Sequence, residues 1–334
     1  MTSSAERRAP DLSLVASDGV PTGLALRYYT VTSADGTRLR AWTNDAEGPT
    51  VLLCNGLGTN PYAWPELLRP DCGVRVISWN HRGVGGSERP ADPDRVGVAA
   101  FVEDAFAVLD DAGVDSCVVA GWSIGVNTAF ELAVAQPHRV KGLFAIAGVP
   151  GGTFSSMGAP LLIPRPARKP LALGVASLLA HTGRLITPVT SRLPIGTLTA
   201  QLLTHSGLMM PVPDTDDVRR AVREFLQTPV DWYMHLARAA AGHPRVSLRS
   251  IRVPTTFVAG RFDVLASATD MFTAAERIPD ARYVVLRGSH FLQLEHPAEV
   301  HQELMTLVAR AHPPADATRR RRVARPQSPE RPAR

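Results

Sequence analysis

Cysteine is scarce in this chain. Three residues in 334, Cys54, Cys72 and Cys117, lack CxxC spacing and are odd in number. Neither a disulfide framework nor a thiolate zinc site is expected from them. Lysine is scarcer still, with only Lys141 and Lys169 among 36 basic residues, a skew of composition that carries no mechanism. Long apolar runs are also missing. The longest in the middle of the chain, residues 171–180, stops at His181 and Arg184, too short to span a bilayer. The first fifteen residues, MTSSAERRAPDLSLV, hold no apolar stretch of the kind a secretory leader requires, so a cytoplasmic location is expected. There is no Gly-Lys-Ser/Thr phosphate loop, and Gly83-Val84-Gly85-Gly86 lacks the strand–helix spacing of a dinucleotide fingerprint. His296 and His301 stand five apart with no third ligand in register. No cofactor and no metal are expected.

What the chain does have is 45% apolar and 20% charged residues, enough for one large domain or two ordinary ones. The formal charge of +5 is local: residues 319–334 carry seven arginines and one glutamate, a net +6, leaving about −1 for the rest. The folded body is therefore not read as a nucleic-acid binder. The Arg- and Pro-rich tail, 313–334, is expected to be disordered, as is usual for solvated tails with little to bury.

Residues 26–32 alternate polar and apolar, Ser33-Ala34-Asp35-Gly36 turns the chain, and 37–42 complete a hairpin signal. Short apolar runs follow at 51–54, 74–79, 117–120, 143–147, 255–259 and 283–286, with helical patterns at 98–111, 126–136 and 297–311. Strands alternating with helices imply a mostly parallel sheet covered on both faces. Residues 153–243 break the rhythm and read as helices at 171–185, 198–208, 215–226 and 230–241, punctuated by prolines. The expected organisation is an N-terminal extension (1–24), an α/β core (25–152 and 244–312), an inserted helical cap (153–243) and the tail.

The strongest local motif is Gly121-Trp122-Ser123-Ile124-Gly125, which follows an apolar strand and opens a helical pattern. That context predicts a sharp turn holding the Ser123 hydroxyl out at the sheet edge, near a helix N-terminus that favours negative charge. A serine hydroxyl needs a base, and the base needs an orienting group. Asp263 stands just past the strand at 255–259 and His290 just past the one at 283–286.

The order Ser123, Asp263, His290, together with three further motifs, resembles the α/β-hydrolase superfamily over about residues 25–311. Asn55-Gly56-Leu57-Gly58 resembles that family's His-Gly-x-Gly loop. Asn80-His81-Arg82-Gly83-Val84-Gly85-Gly86-Ser87 resembles its Asp-x-Arg-Gly-x-Gly-x-Ser loop, and Gly288-Ser289-His290 with Glu295-His296-Pro297 its histidine segment. The resemblance implies an eight-stranded, mostly parallel sheet and an oxyanion hole from the backbone N–H groups of Leu57 and Ile124. Three positions depart from the pattern: Asn55 for His, Asn80 for Asp, and Val126 for the second glycine after the serine. None removes a triad group or a backbone donor.

Asn55, Trp122 and Phe291 are the substrate-pocket candidates, Asn55 alternatively bonding its own loop. Serine at the elbow sets aside the halide- and epoxide-opening branches, which by resemblance use aspartate there. Acyl chemistry remains. The expected activity is hydrolysis of a small to medium apolar ester through an acyl-enzyme, with the leucine-rich insert setting chain-length preference through residues such as Leu178, Leu179 and Met209. The same triad also serves carbon–carbon bond hydrolysis and cofactor-free perhydrolysis, and a ligand receptor can retain it without turnover. The sequence leaves these alternatives, and the oligomeric state, open.

Overall fold

The structure, a computed structural model, describes residues 24–313 except 159–160, 207–208 and 245. The expected N-terminal extension and tail lie outside the described residues, apart from Leu24 and Pro313. The chain opens with β1 (Arg27–Thr32) and β2 (Arg38–Thr43), an antiparallel pair turned by Gly36 at φ 85°. Then come β3 (Thr50–Cys54), β4 (Arg75–Trp79), β5 (Cys117–Trp122), β6 (Val140–Ile146), β7 (Thr255–Gly260) and β8 (Ala281–Leu286). Among the described residues these form one eight-stranded sheet in the order β1-β2-β4-β3-β5-β6-β7-β8. Only the pairs β1–β2 and β2–β4 are antiparallel.

Helices α1 (Val98–Asp111) and α2 (Gly125–Ala135) precede the insert, which holds α3 (Thr153–Ser156), α4 (Arg165–Thr190), α5 (Thr197–Thr204), α6 (Thr215–Phe225) and α7 (Val230–Ala241). The core resumes with α8 (Ala268–Ala275), α9 (Leu292–Glu295) and α10 (Pro297–Ala311). α8 is absent from the sequence reading. Its eight residues hold barely two turns, too few for a period to stand out, and its start is marked only by Ser267 accepting from the Asp270 N–H. α4 runs well beyond 171–185, because prolines do not stop it. Pro166 sits in the first turn, where no N–H partner is lost, and Pro170 and Pro188 are carried inside the helix. No helix among the described residues is long and apolar enough to cross a membrane.

The central strands are buried throughout, so alternate side chains feed two cores. Leu52, Val119, Leu143 and Phe257 face one, with Phe130 of α2 and Met271 of α8. Val51, Leu53, Val118 and Phe144 face the other, with Leu304 and Leu307 of α10.

The loop after β4 carries two buried ionisable side chains. Arg82, fully buried, reaches Asp104 of α1 through Nε (3.0 Å to Oδ2) and Nη2 (2.8 Å to Oδ1), and also bonds Asp35 in the hairpin turn. The Ser33 hydroxyl donates to Asp104 Oδ1 at 2.6 Å. His81 packs edge-on against Phe101, ring centroids 4.5 Å apart, and its Nδ1 meets no hydrogen-bond partner among the described residues. Burial pushes its imidazole down to about 4. A neutral His81 in the fold, against an ordinary pKa near 6.5 in the unfolded chain, means that unfolding takes up a proton between those values. This contribution is present in full above pH 6.5 and is lost as the pH falls to 4, by on the order of 3 kcal/mol. Denaturant midpoints measured from pH 7 to 4 should therefore fall less steeply for His81→Leu than for wild type; parallel profiles would contradict this.

Candidate active site

Between β5 and α2 the chain turns over two residues, Ser123 and Ile124. Ser123 lies there at φ 56°, the left-handed region that side-chain-bearing residues rarely adopt. A Cβ at Gly121 would come within 2.6 Å of the Gly125 carbonyl oxygen, and one at Gly125 within 1.9 Å of the Cys54 oxygen. The turn needs both glycines. The departure at Val126 is accommodated because Gly148, facing it, lacks a side chain; a Cβ there would meet the valine methyl at 2.6 Å.

The loops after β7 and β8 bring Asp263 and His290 to this elbow. His290 Nε2 lies 2.9 Å from Ser123 Oγ, and Nδ1 lies 2.9 Å from Asp263 Oδ2. Asp263 Oδ1 accepts from the Leu265 and Ala266 N–H groups at 2.7 and 2.8 Å, which fixes the buried carboxylate. An acceptor on one side of the ring requires Nδ1 to carry the proton, so Nε2 is left to accept from the serine hydroxyl. Among the described residues the backbone N–H groups of Leu57 and Ile124 donate to no protein atom, and both residues border the same cavity as Ser123.

The three pocket candidates divide. Trp122 and Phe291 line the cavity, and the Trp122 indole N–H donates to the His290 carbonyl at 3.0 Å. Asn55 does not. Its Oδ1 accepts from the Gly56 N–H and the Trp64 indole at 3.0 Å each, and its amide donates to the Asn60 carbonyl, so the loop uses the whole side chain.

Glu295 is a site residue whose role went unread in the sequence. Its buried carboxylate accepts from the Ser289 N–H (2.6 Å), the Ser289 hydroxyl (2.5 Å) and the Met210 N–H (2.8 Å). It thereby ties the His290 loop to the insert. No local pattern announces a bond between residues 85 positions apart.

Above the elbow is a cavity of about 370 Å³. Its far wall comes from the insert: Leu203, Met209, Phe225, Tyr233 and Ala237. No Asp, Glu, Lys or Arg side chain borders it among the described residues. Met209 is there as expected, but Leu178 and Leu179 are not; Leu178 points outward from α4, 64% exposed. Among the described residues no group of three His, Cys, Asp or Glu is placed to hold a metal ion.

Residues 49–297 match the profile of the alpha/beta hydrolase fold. The chain belongs to the α/β-hydrolase family. Among relatives of this hydrolase, Epoxide hydrolase A of Mycobacterium tuberculosis is 25% identical, covering 81% of this chain and 94% of the relative. An epoxide hydrolase of Caballeronia sordidicola is 30% identical over 107 residues, an alignment that spans only 32% of that protein. Among solved structures, the enol-lactonase from Burkholderia xenovorans LB400 superposes with a TM-score of 0.63 at 21% identity, covering 85% of this chain and all of that one.

Proposed function

We propose that this hydrolase cleaves a neutral, apolar carboxylic ester through an acyl-enzyme on Ser123, with residues 153–243 serving as the cap that shapes the substrate cavity. The supporting observation is the hydrogen-bonded series Ser123–His290–Asp263 opening into a cavity without charged walls. Ser123 Oγ attacks the ester carbonyl carbon while its proton passes to His290 Nε2, and the imidazolium is stabilised by Asp263. The N–H groups of Leu57 and Ile124 receive the tetrahedral oxyanion. Collapse breaks the bond to the alcohol oxygen, which takes the proton from His290. Water, deprotonated by His290, then attacks the acyl-enzyme and releases the acid and free Ser123.

The relatives named for epoxides do not set the reaction. A serine opening an epoxide would leave an ether, which an activated water does not hydrolyse, whereas an ester at Ser123 is resolved by the steps above. A substrate carboxylate inside the cavity would be desolvated with no cation to meet it, a cost of several kcal/mol. An apolar acyl chain gains up to about 0.8 kcal/mol per buried methylene.

Nitrophenyl esters provide the test. From acetate to hexanoate kcat/KM should rise by roughly a few-fold per two methylenes, less than full burial would give. The adipate half-ester, with a terminal carboxylate, should be poorer than hexanoate by on the order of a hundredfold. Met209→Ser should flatten the chain-length profile. Acetate as the best substrate would overturn the apolar reading, and thermal stabilisation by ester ligands without turnover would favour a receptor instead.

A further inference from the structure

Large apolar side chains exposed to solvent are concentrated in one segment of this protein. Among the described residues thirteen are exposed, and ten of these lie between Leu161 and Leu202. Single exposed leucines are ordinary, but a continuous patch marks a surface that meets another phase or molecule.

The helix α4 organises the patch. Leu171, Val175, Leu178, Leu185 and Val189 recur at intervals of three, four and seven, which places them on one face; each is at least half exposed. The opposite face, with Ala176 and Gly183 buried, is turned toward the protein: a Cβ at Gly183 would strike the Asp231 backbone of α7 at 2.4 Å. The helix is therefore apolar on both sides while only one side is covered. Leu198 and Leu202 of α5, a helix that packs on α6, are also exposed, whereas Leu203 of the same helix borders the substrate cavity.

Charge identifies the occupant. No acidic residue occurs between Glu131 and Asp214, while Arg168 and Arg192 flank the apolar stripe; Arg165, Lys169 and Arg184 lie on other sides of α4. Arg165 pairs with Asp270 and Arg184 reaches Asp231 at 3.5 Å; Arg168, Lys169 and Arg192 have no carboxylate partner among the described residues. A second copy docked by this face would bring cations against cations with no acid in the segment to meet them. An anionic lipid surface offers acyl chains to the leucines and headgroup phosphates to the cations, which reach them along their apolar stems.

We infer that the exposed apolar face of α4 forms an interfacial surface by which the protein lies on anionic bilayers, without spanning them. A 26-residue helix is about 39 Å long, enough for a flat contact. This docking is independent of whether Ser123 cleaves esters.

Flotation of the full chain with phosphatidylglycerol–phosphatidylcholine vesicles tests the assignment, with pure phosphatidylcholine vesicles alongside. The full chain should float with the anionic vesicles and much less with the neutral ones. The triple variant Leu171→Ser, Leu178→Ser, Leu185→Ser should cut the bound fraction at least about tenfold. Arg192→Glu should weaken binding to anionic vesicles only. Both variants should keep the wild-type melting temperature within about three degrees, since exposed positions are altered. The Arg-rich C-terminal residues are unchanged in every variant, so undiminished flotation of the triple variant would assign the binding to them and overturn the proposal. So would absence of flotation, or a wild-type dimer that the triple variant turns into a monomer.

Discussion

Replacing Ser123 by alanine is expected to lower ester hydrolysis by about 10⁴- to 10⁶-fold and to abolish labelling by a fluorophosphonate. The variant keeps the donors at Leu57 and Ile124 and the imidazole held by Asp263, but has no oxygen that can carry the acyl group. What remains is attack by water, aided only by the N–H groups proposed as oxyanion donors. Stability separates loss of chemistry from loss of fold. Ser123 sits at φ 56°, so alanine inherits the same backbone strain and the melting temperature should barely move. Glycine, which adopts that conformation freely, should be equally inactive yet more stable by about 1 kcal/mol. Alanine activity within tenfold of wild type would sink the assignment of the nucleophile. Gain of stability in Ser123→Gly without loss of activity would do the same.

The largest effect on stability is expected at Arg82. Its side chain is completely buried and meets Asp104, itself fully buried, through two nitrogens. Arg82→Ala leaves that carboxylate in an apolar interior without its cation, which should cost about 3–5 kcal/mol. That is a large part of the 5–15 kcal/mol typical of a folded domain. The penalty arises from the orphaned charge more than from the lost bonds, so Arg82→Met should be nearly as damaging. The double variant Arg82→Met, Asp104→Leu should recover most of the loss. Urea denaturation of the three proteins measures this directly; a cost below about 1 kcal/mol for Arg82→Ala would show that the pair is dispensable. The consequence extends to the site, because the Arg82 carbonyl accepts from the Trp232 indole of α7 at 2.8 Å. Disordering this loop loosens a helix that supplies Tyr233 and Ala237 to the cavity wall, so KM for long-chain esters should rise even where the variant remains folded.

Much of the site is legible in the chain because its requirements are local. An elbow demands small residues within two positions of the serine, and Gly121 and Gly125 declare it before any fold is known. A sheet with its functional loops on one edge demands polar residues just past strand ends, which is where Asp263 and His290 stand. Alternation in residues 26–42 and the buried runs of β3, β5, β6 and β7 likewise follow from a period of two and from the need to cover both faces. The helical insert was legible as helices, but its outward and inward faces were not. Leu178 and Met209 are both apolar, yet one faces solvent and the other the cavity, because α4 carries apolar residues on its exposed face as well as its covered one and periodicity cannot tell which side meets protein. Asn55 posed the same problem in polar form: an amide beside a cavity can serve its own loop or a ligand, and here it bonds Gly56, Asn60 and Trp64. Glu295 with Met210, and Arg82 with Asp104, depend on side chains brought together from 85 and 22 residues apart. Pairing over such distances follows from how the layers stack, which residue order alone does not express.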